Sequence, residues 1–181
     1  MTEKSLPRMF FADEKVPTVR DIDYEQLTSY GIEAVVFDLD NTIAKWGDDS
    51  LTEEIVDLFE RLTSMGLKVG ILSNSRREET EDFVTGLPFP HVFNANKPSV
   101  KGFRSILEKL DAAPEEAAMI GDQIFTDVLG ANRLGMYTVR VDPIDPSREF
   151  RFTKINRVGE RVLLCLREVY RSIRRFKETS Y

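Results

Sequence analysis

The chain has 181 residues, 41% hydrophobic and 31% charged, which is enough for one globular domain with a real core. One cysteine, Cys165, excludes an internal disulfide and fits a reducing, cytosolic setting, and one histidine, His91, excludes chemistry built on two histidines. The net charge of −6 is uneven: residues 148–181 carry 10 Lys/Arg against 4 Asp/Glu, and residues 1–147 carry 15 against 27, so the tail is basic and the body acidic. No apolar run approaches the ~20 residues of a transmembrane helix, and no long apolar h-region of a signal peptide follows the N-terminus.

In chain order, residues 1–20 read as irregular, with Pro7 and Pro17. Asp21 to Ser29 reads as a short helix ended by Gly31. Residues 33–38 hold the first core strand, because Ala34-Val35-Val36-Phe37 is too short for a helix and rich in β-branched and aromatic side chains. Leu51 to Met65 is a predicted helix with Leu51, Ile55, Leu58, Phe59 and Leu62 on one face and Gly66 as its stop. Leu67 to Leu72 is the second strand, 76–85 a helix, Val92-Phe93 a short third strand, and Ser99 to Leu110 a helix introduced by Lys97-Pro98. Ala117 to Ile120 is the fourth strand, Phe125 to Leu134 a helix ended by Gly135, Tyr137 to Val141 the fifth strand, and 155–176 a final helix. His91, close to Pro88 and Pro90, reads as a turn or strand-edge residue. Strands alternating with helices predict an α/β fold, a doubly wound parallel sheet with helices on both faces. The whole chain reads as a single domain, with a core at about 33–142, an N-terminal extension at 1–32 and a basic C-terminal helix at 148–181.

Polar residues gather at the ends of these strands. They are Asp38, Asp40, Asn41 and Thr42 after the first, Ser73, Asn74 and Ser75 after the second, Lys97 after the third, and Gly121, Asp122, Gln123 and Asp127 after the fourth. In a parallel sheet these ends share one edge, where such sheets place their ligands. If the extended path continues, Asp38 and Asp40 point to the same side. Two like charges that close are costly without a cation between them, and Mg²⁺, a hard ion that works beside substrate phosphate, fits. One carboxylate can attack phosphorus to form an acyl phosphate, and a second can protonate the leaving oxygen and then take a proton from water. A hydroxyl and a lysine can hold the phosphate oxygens. Each group also has a plainer use: an Asp after a strand often caps a helix or turn, Ser73 and Asn74 can cap, and Lys97 can sit in solvent.

Taken together, the motifs resemble the haloacid dehalogenase (HAD) superfamily of Mg²⁺-dependent phosphatases. Phe37-Asp38-Leu39-Asp40-Asn41-Thr42 matches its first motif, Ser73 its second, Lys97 its third, and Gly121-Asp122 with Asp127 its fourth. The resemblance implies that Asp38 is the nucleophile and a metal ligand. It implies that Asp40 is the general acid/base and gives the metal its backbone carbonyl, and that Asp122 is the remaining carboxylate ligand. Thr42, Ser73, Asn74 and Lys97 would bind phosphate, with Lys97 also neutralising Asp38. Asp127 would support the metal site from behind. The plainer alternative for Asn41 and Asn74 is to orient the loops rather than touch substrate.

Asp40 and Ser73 are 33 residues apart and Ser73 and Lys97 are 24 apart, too little for an inserted cap domain in either gap. An uncapped, open site suits a large or membrane-borne phosphate. Asp21-Ile22 to Gly31-Ile32, Phe37 through Trp46, Leu72 to Ser75 and Gly121 to Asn132 look like the YqeG branch of HAD phosphatases. That branch is similar to mitochondrial phosphatidylglycerophosphatases, which implies a lipid headgroup phosphate as substrate and phosphatidylglycerophosphate in particular. In the tail, Ile155, Val158, Val162, Leu166, Val169, Ile173 and Phe176 form one stripe, and Arg157, Arg161, Arg167, Arg171, Arg174 and Arg175 lie mostly elsewhere. Such a helix either packs its stripe on the sheet or lies on an anionic membrane, giving a cytoplasmic protein with peripheral contact at the inner face. Phe10-Phe11 and Trp46 are further candidates for that contact. No recognisable nucleic-acid module accompanies the tail, so no nucleic-acid partner is expected. A signalling receiver and a non-catalytic phosphate-binding module are the competing classes, and the Asp-X-Asp pair and Asp122 argue against the receiver.

Overall fold

The computed structural model describes residues 8–48, 50–75, 89–148, 158–160 and 162–165. The chain forms two compact units, Met9–Arg148 and a second made of Met1–Arg8 with Glu149–Tyr181.

The first unit is built on a six-stranded parallel sheet. Its strands are β1 (Glu14–Lys15), β2 (Ala34–Phe37), β3 (Lys68–Leu72), β4 (His91–Val92), β5 (Ala117–Gly121) and β6 (Tyr137–Arg140), in the order β1-β6-β5-β2-β3-β4. Among the described residues of this unit the α-helices are α1 (Tyr24–Ser29), α2 (Glu53–Ser64), α3 (Val100–Leu110) and α4 (Leu129–Asn132). After β2 the chain builds outward through β3 and β4, then crosses back to β5 and β6 on the other side. The reversal lies between β2 and β5, where doubly wound sheets open a crevice at the carboxyl ends of their strands.

Side chains alternate across the sheet as the pleat requires. Val35, Phe37, Val69, Ile71 and Ile120 join Leu27 of α1 and Ile55, Leu58, Phe59 and Leu62 of α2 in one core. Ala34, Val36, Leu72, Ala117 and Met119 join Phe103, Ile106, Leu107 and Leu110 of α3 in the other. The 3- and 4-residue spacing of the apolar positions on α2 and α3 is therefore what covers the two faces. Gly66, at φ +89°, ends the turn after α2 in a conformation that other residues resist.

Three differences from the sequence expectation have local causes. Residues 14–15, read as irregular, add a sixth strand at the edge beside β6. Two residues are too few for a periodic signal, and this strand is held by side chains. Asp13 Oδ2 accepts from the Thr138 N–H (3.0 Å) and hydroxyl (2.9 Å), and the Asn132 amide donates to the carbonyls of Met9 and Phe11 at 3.0 Å each. The helix expected from Phe125 begins as a widened π-turn, Ile124–Val128, before α4. In the tail, residues 158–160 and 162–165 are helical, but Val158 and Val162 of the expected stripe are 61% and 55% exposed while Glu160 is buried. The remaining members of the stripe and its arginines, like the helix expected at 76–85, lie outside the described residues. His91 does stand in the edge strand β4.

Candidate active site

β2 is buried along its whole length, and its pairing continues one step further, where the Asp38 N–H donates to Ile120 O at 2.9 Å. Asp38 is thereby fixed at the strand end, 4% exposed. The extended path runs through Asp40, which forms an isolated parallel bridge with Ala44. The chain then turns at Asn41, which takes a left-handed φ of +64°, and the Leu39 carbonyl accepts from Ile43 and Ala44, both at 3.1 Å. Asparagine tolerates that region better than most residues. Asp40 is left partly exposed before the turn. Asn41 also anchors a loop that follows β6: its carbonyl accepts from Ile144 N (3.0 Å) and its side-chain oxygen from Asp145 N (3.2 Å).

Beyond β3, Ser73 is wholly buried, and its hydroxyl oxygen accepts from Ser75 N at 3.0 Å. The hydroxyl proton is then left to donate. Asn74 is exposed, yet its amide is used on the main chain of Lys97. Its oxygen accepts from Lys97 N (2.6 Å) and its nitrogen donates to Lys97 O (3.0 Å). Held at both ends of one residue, Lys97 runs back under the site. Its ammonium donates to Asp38 Oδ1 (2.5 Å) and Leu72 O (2.9 Å) and lies 2.7 Å from Asp127 Oδ1. That last contact is an ion pair whose angles fall outside hydrogen-bond geometry.

β5 ends at Gly121-Asp122, and the π-turn folds Asp127 back onto its own start, where Asp127 Oδ2 accepts from Gln123 N at 3.1 Å. A Cβ at Gly121 would overlap the Asp127 carboxylate, so only glycine lets that side chain reach the site. Carboxylate oxygens of Asp38, Asp122 and Asp127, all buried, lie within 4.8 Å of one another. Burial pushes the Asp38 carboxyl well above its usual range, Asp127 and Asp122 push it further, and only Lys97 opposes them. Burial alone would lower the Lys97 ammonium, but Asp127 and Asp38 outweigh it and raise its pKa. Three carboxylates converge here, a strongly acidic cluster if all three ionise. Such converging oxygen donors fit a hard divalent cation, and Asp38, Asp122 and Asp127 are the residues that would hold it.

Of the sequence candidates, Asp38, Asp122, Lys97 and Asp127 come together. Among the described residues, the Asp40 carboxylate is not part of that acidic cluster. Thr42 is 3% exposed, and its hydroxyl oxygen has no hydrogen-bond partner. Sequence reasoning missed Leu72 O as an acceptor of the Lys97 ammonium and Gln123 N as the anchor of Asp127. Both are main-chain groups, which no residue type announces.

A haloacid dehalogenase-like hydrolase model matches residues 44–135, just over half the chain and beginning just past the Asp38–Thr42 turn. The chain belongs to this family. It is 35% identical over 88% of its length, and 92% of the relative's, to "Probable phosphatase YqeG" of Bacillus subtilis (strain 168). Over 68% of its length it is 32% identical to the mitochondrial phosphatidylglycerophosphatase GEP4 of Saccharomyces cerevisiae, covering 73% of that protein. Among solved structures, NagD of E. coli K-12 superimposes with a TM-score of 0.52 over 66% of this chain and 94% of that one, at 13% identity, a likeness of fold alone. The HAD-family chain is thus a phosphatase by its family, built on a parallel Rossmann-like sheet.

Proposed function

We propose that this HAD phosphatase is a Mg²⁺-dependent phosphomonoesterase that works through an aspartyl phosphate on Asp38, and that its substrate is phosphatidylglycerophosphate. The observation that carries the mechanism is the buried Asp38, gripped by Lys97 and facing Asp122 and Asp127 at the carboxyl edge of the sheet. The similarity to the yeast phosphatidylglycerophosphatase supports the lipid substrate.

In the first step an Asp38 oxygen attacks phosphorus, the ester P–O bond breaks, and Asp40 gives its proton to the departing alkoxide. In the second, Asp40 takes a proton from water as that water attacks the acyl phosphate, and the Asp38 carboxylate leaves with inorganic phosphate as product. Asp40 suits a proton carrier because it is partly exposed, whereas Asp38 is shielded from competing water. Ser73 offers its hydroxyl proton to a phosphate oxygen. Lys97 already directs its ammonium at Asp38, Leu72 O and Asp127, so it orients and neutralises the nucleophile and offers the phosphate its charge. Mg²⁺ would be held by the Asp38, Asp122 and Asp127 carboxylates and would supply positive charge that favours ionised Asp38 and offsets the phosphate. Contact with the membrane is peripheral in this reading. No helix among the described residues is long and apolar enough to cross one, while Trp46 and Ile144, at loops on the carboxyl edge, are 37% and 45% exposed.

The test is phosphate release from phosphatidylglycerophosphate in mixed micelles, with and without EDTA, beside a soluble aryl phosphate and the Asp38→Asn variant. Lipid turnover that needs Mg²⁺ and is lost in the variant is expected. Turnover of the aryl phosphate alone would discard the lipid substrate, and activity in Asp38→Asn would discard the nucleophile.

A further inference from the structure

A proton donor works only within hydrogen-bond reach of the atom it serves, yet Asp40 stands partly exposed at the start of a turn. The turn is wound on itself. Asp40 bridges Ala44, the Asn41 N–H donates to Ala44 O at 2.7 Å, and the Leu39 carbonyl accepts from Ile43 and Ala44. Leu39 and Ile43 pack it into the core. Apolar contact is non-directional, so it sets how deep the turn sits. Hydrogen bonds, which depend on angle, set which way it faces.

Those bonds come from the loop that follows β6, and one residue receives both. The Ile144 N–H donates to Asn41 O at 3.0 Å and the Asp145 N–H to Asn41 Oδ1 at 3.2 Å. The loop is braced in its turn. The Asp142 N–H donates to Pro17 O at 3.1 Å, and Asp145 Oδ1 accepts from the Ser147 N–H at 3.0 Å and the Ser147 hydroxyl at 2.5 Å. Asn41 is 3% exposed and has a φ of +64°, a backbone that glycine, asparagine and aspartate accept best. Of these three, glycine lacks the side-chain acceptor.

We propose that Asn41 is a positioning residue for Asp40: by receiving the two loop N–H groups it aims the Asp40 carboxyl at the ester oxygen of the departing alcohol. This rests on the phosphatase reading above and deepens it. As an Asp38 oxygen bonds to phosphorus and the ester P–O bond breaks, the Asp40 proton passes to the departing oxygen, which leaves as the neutral alcohol. An alkoxide needs that proton, whereas a nitrophenolate leaves without it. A badly aimed Asp40 therefore slows transfer from an alkyl ester and spares transfer from a nitrophenyl ester.

The experiment is kcat/KM with Mg²⁺ for benzyl phosphate and p-nitrophenyl phosphate in the full-length wild type, Asn41→Gly and Asn41→Asp. The two esters are similar in size and differ in their need for a proton. Asn41→Gly keeps the left-handed turn and removes the acceptor of the Asp145 N–H. General acid catalysis contributes about 100- to 10,000-fold, so a loss of aim should lower the benzyl-to-nitrophenyl ratio by at least about tenfold, with the Mg²⁺-induced melting shift retained. Asn41→Asp keeps the acceptor and should restore the ratio. An unchanged ratio in Asn41→Gly, a ratio that Asn41→Asp fails to restore, or a lost melting shift overturns the positioning role. The phosphatase reading survives any of these as long as the wild type turns over either ester and Asp38→Asn does not. Turnover of neither ester by the wild type would overturn that reading and this inference with it.

Discussion

Replacing Lys97 with methionine keeps most of its volume and removes the cation that, among the described residues, pairs with Asp38 and Asp127. The Lys97 side chain is 2% exposed and those of its partners 5% and 1%, so water cannot take its place. Breaking a buried pair by removing one partner costs about 3–5 kcal/mol. For a chain of this size each kcal/mol lowers the melting temperature by about 2–4 °C, so Lys97→Met in EDTA should melt roughly 6–20 °C below the wild type at pH 8. The loss should depend on pH. Because burial and the neighbouring carboxylates raise the folded-state pKa of Asp38, the folded protein holds that proton where the unfolded chain has lost it. Its contribution to stability is thus complete below the unfolded value and falls as pH rises through the folded one. Without Lys97 the Asp38 pKa moves higher still, and at pH 5 the proton stands in for the missing ammonium. The melting deficit should therefore be clearly smaller at pH 5 than at pH 8. Thermal denaturation by circular dichroism at both pH values reads this directly. An equal deficit at both, or one below about 3 °C at pH 8, would refute the role of Lys97 in stabilising the buried Asp38 and Asp127.

Other perturbations probe the same cluster. Mg²⁺ at about 100 times its Kd should stabilise the wild type by ~2.7 kcal/mol, or about 5–11 °C, with a smaller shift at pH 5, where it must displace the Asp38 proton; no shift, or the same shift at both pH values, contradicts the metal assignment. Asn74→Ala removes both bonds that fix the Lys97 main chain. Misplacing a catalytic group by about 1 Å costs on the order of 100-fold, so kcat should fall that far and Asn74→Asp, which keeps one acceptor, should fall less. A raised KM at unchanged kcat would instead make Asn74 a phosphate contact. Gly121→Ala places a methyl group against the Asp127 carboxylate and should abolish the melting shift on adding Mg²⁺, and a retained shift would show that Asp127 is not needed to hold the ion.

The chain order of apolar runs, stops and strand-end polar residues is legible in the sequence because each depends on neighbours along the chain. The 3- and 4-residue spacing on α2 and α3, the β-branched run of β2 and the glycines after the helices dictate elements and faces wherever they fold. Strict alternation of strand and helix then forces a parallel sheet, and a parallel sheet sets Asp38, Ser73 and Asp122 at one edge. What contact across the sheet decides is different in kind. β1 exists because Asp13 and Asn132 bond across more than a hundred residues of chain, a pairing with no local pattern. Asp127 rather than the Asp40 carboxylate joins the acidic cluster, because a π-turn folds Asp127 back onto its own start while Asp40 stands partly exposed before the turn at Asn41. The raised pKa of Asp38 and the grip of Lys97 likewise depend on burial, which sequence spacing does not measure. The residue types that carry the chemistry are written in the chain; their mutual distances and their shielding from water arise only when the strand ends converge.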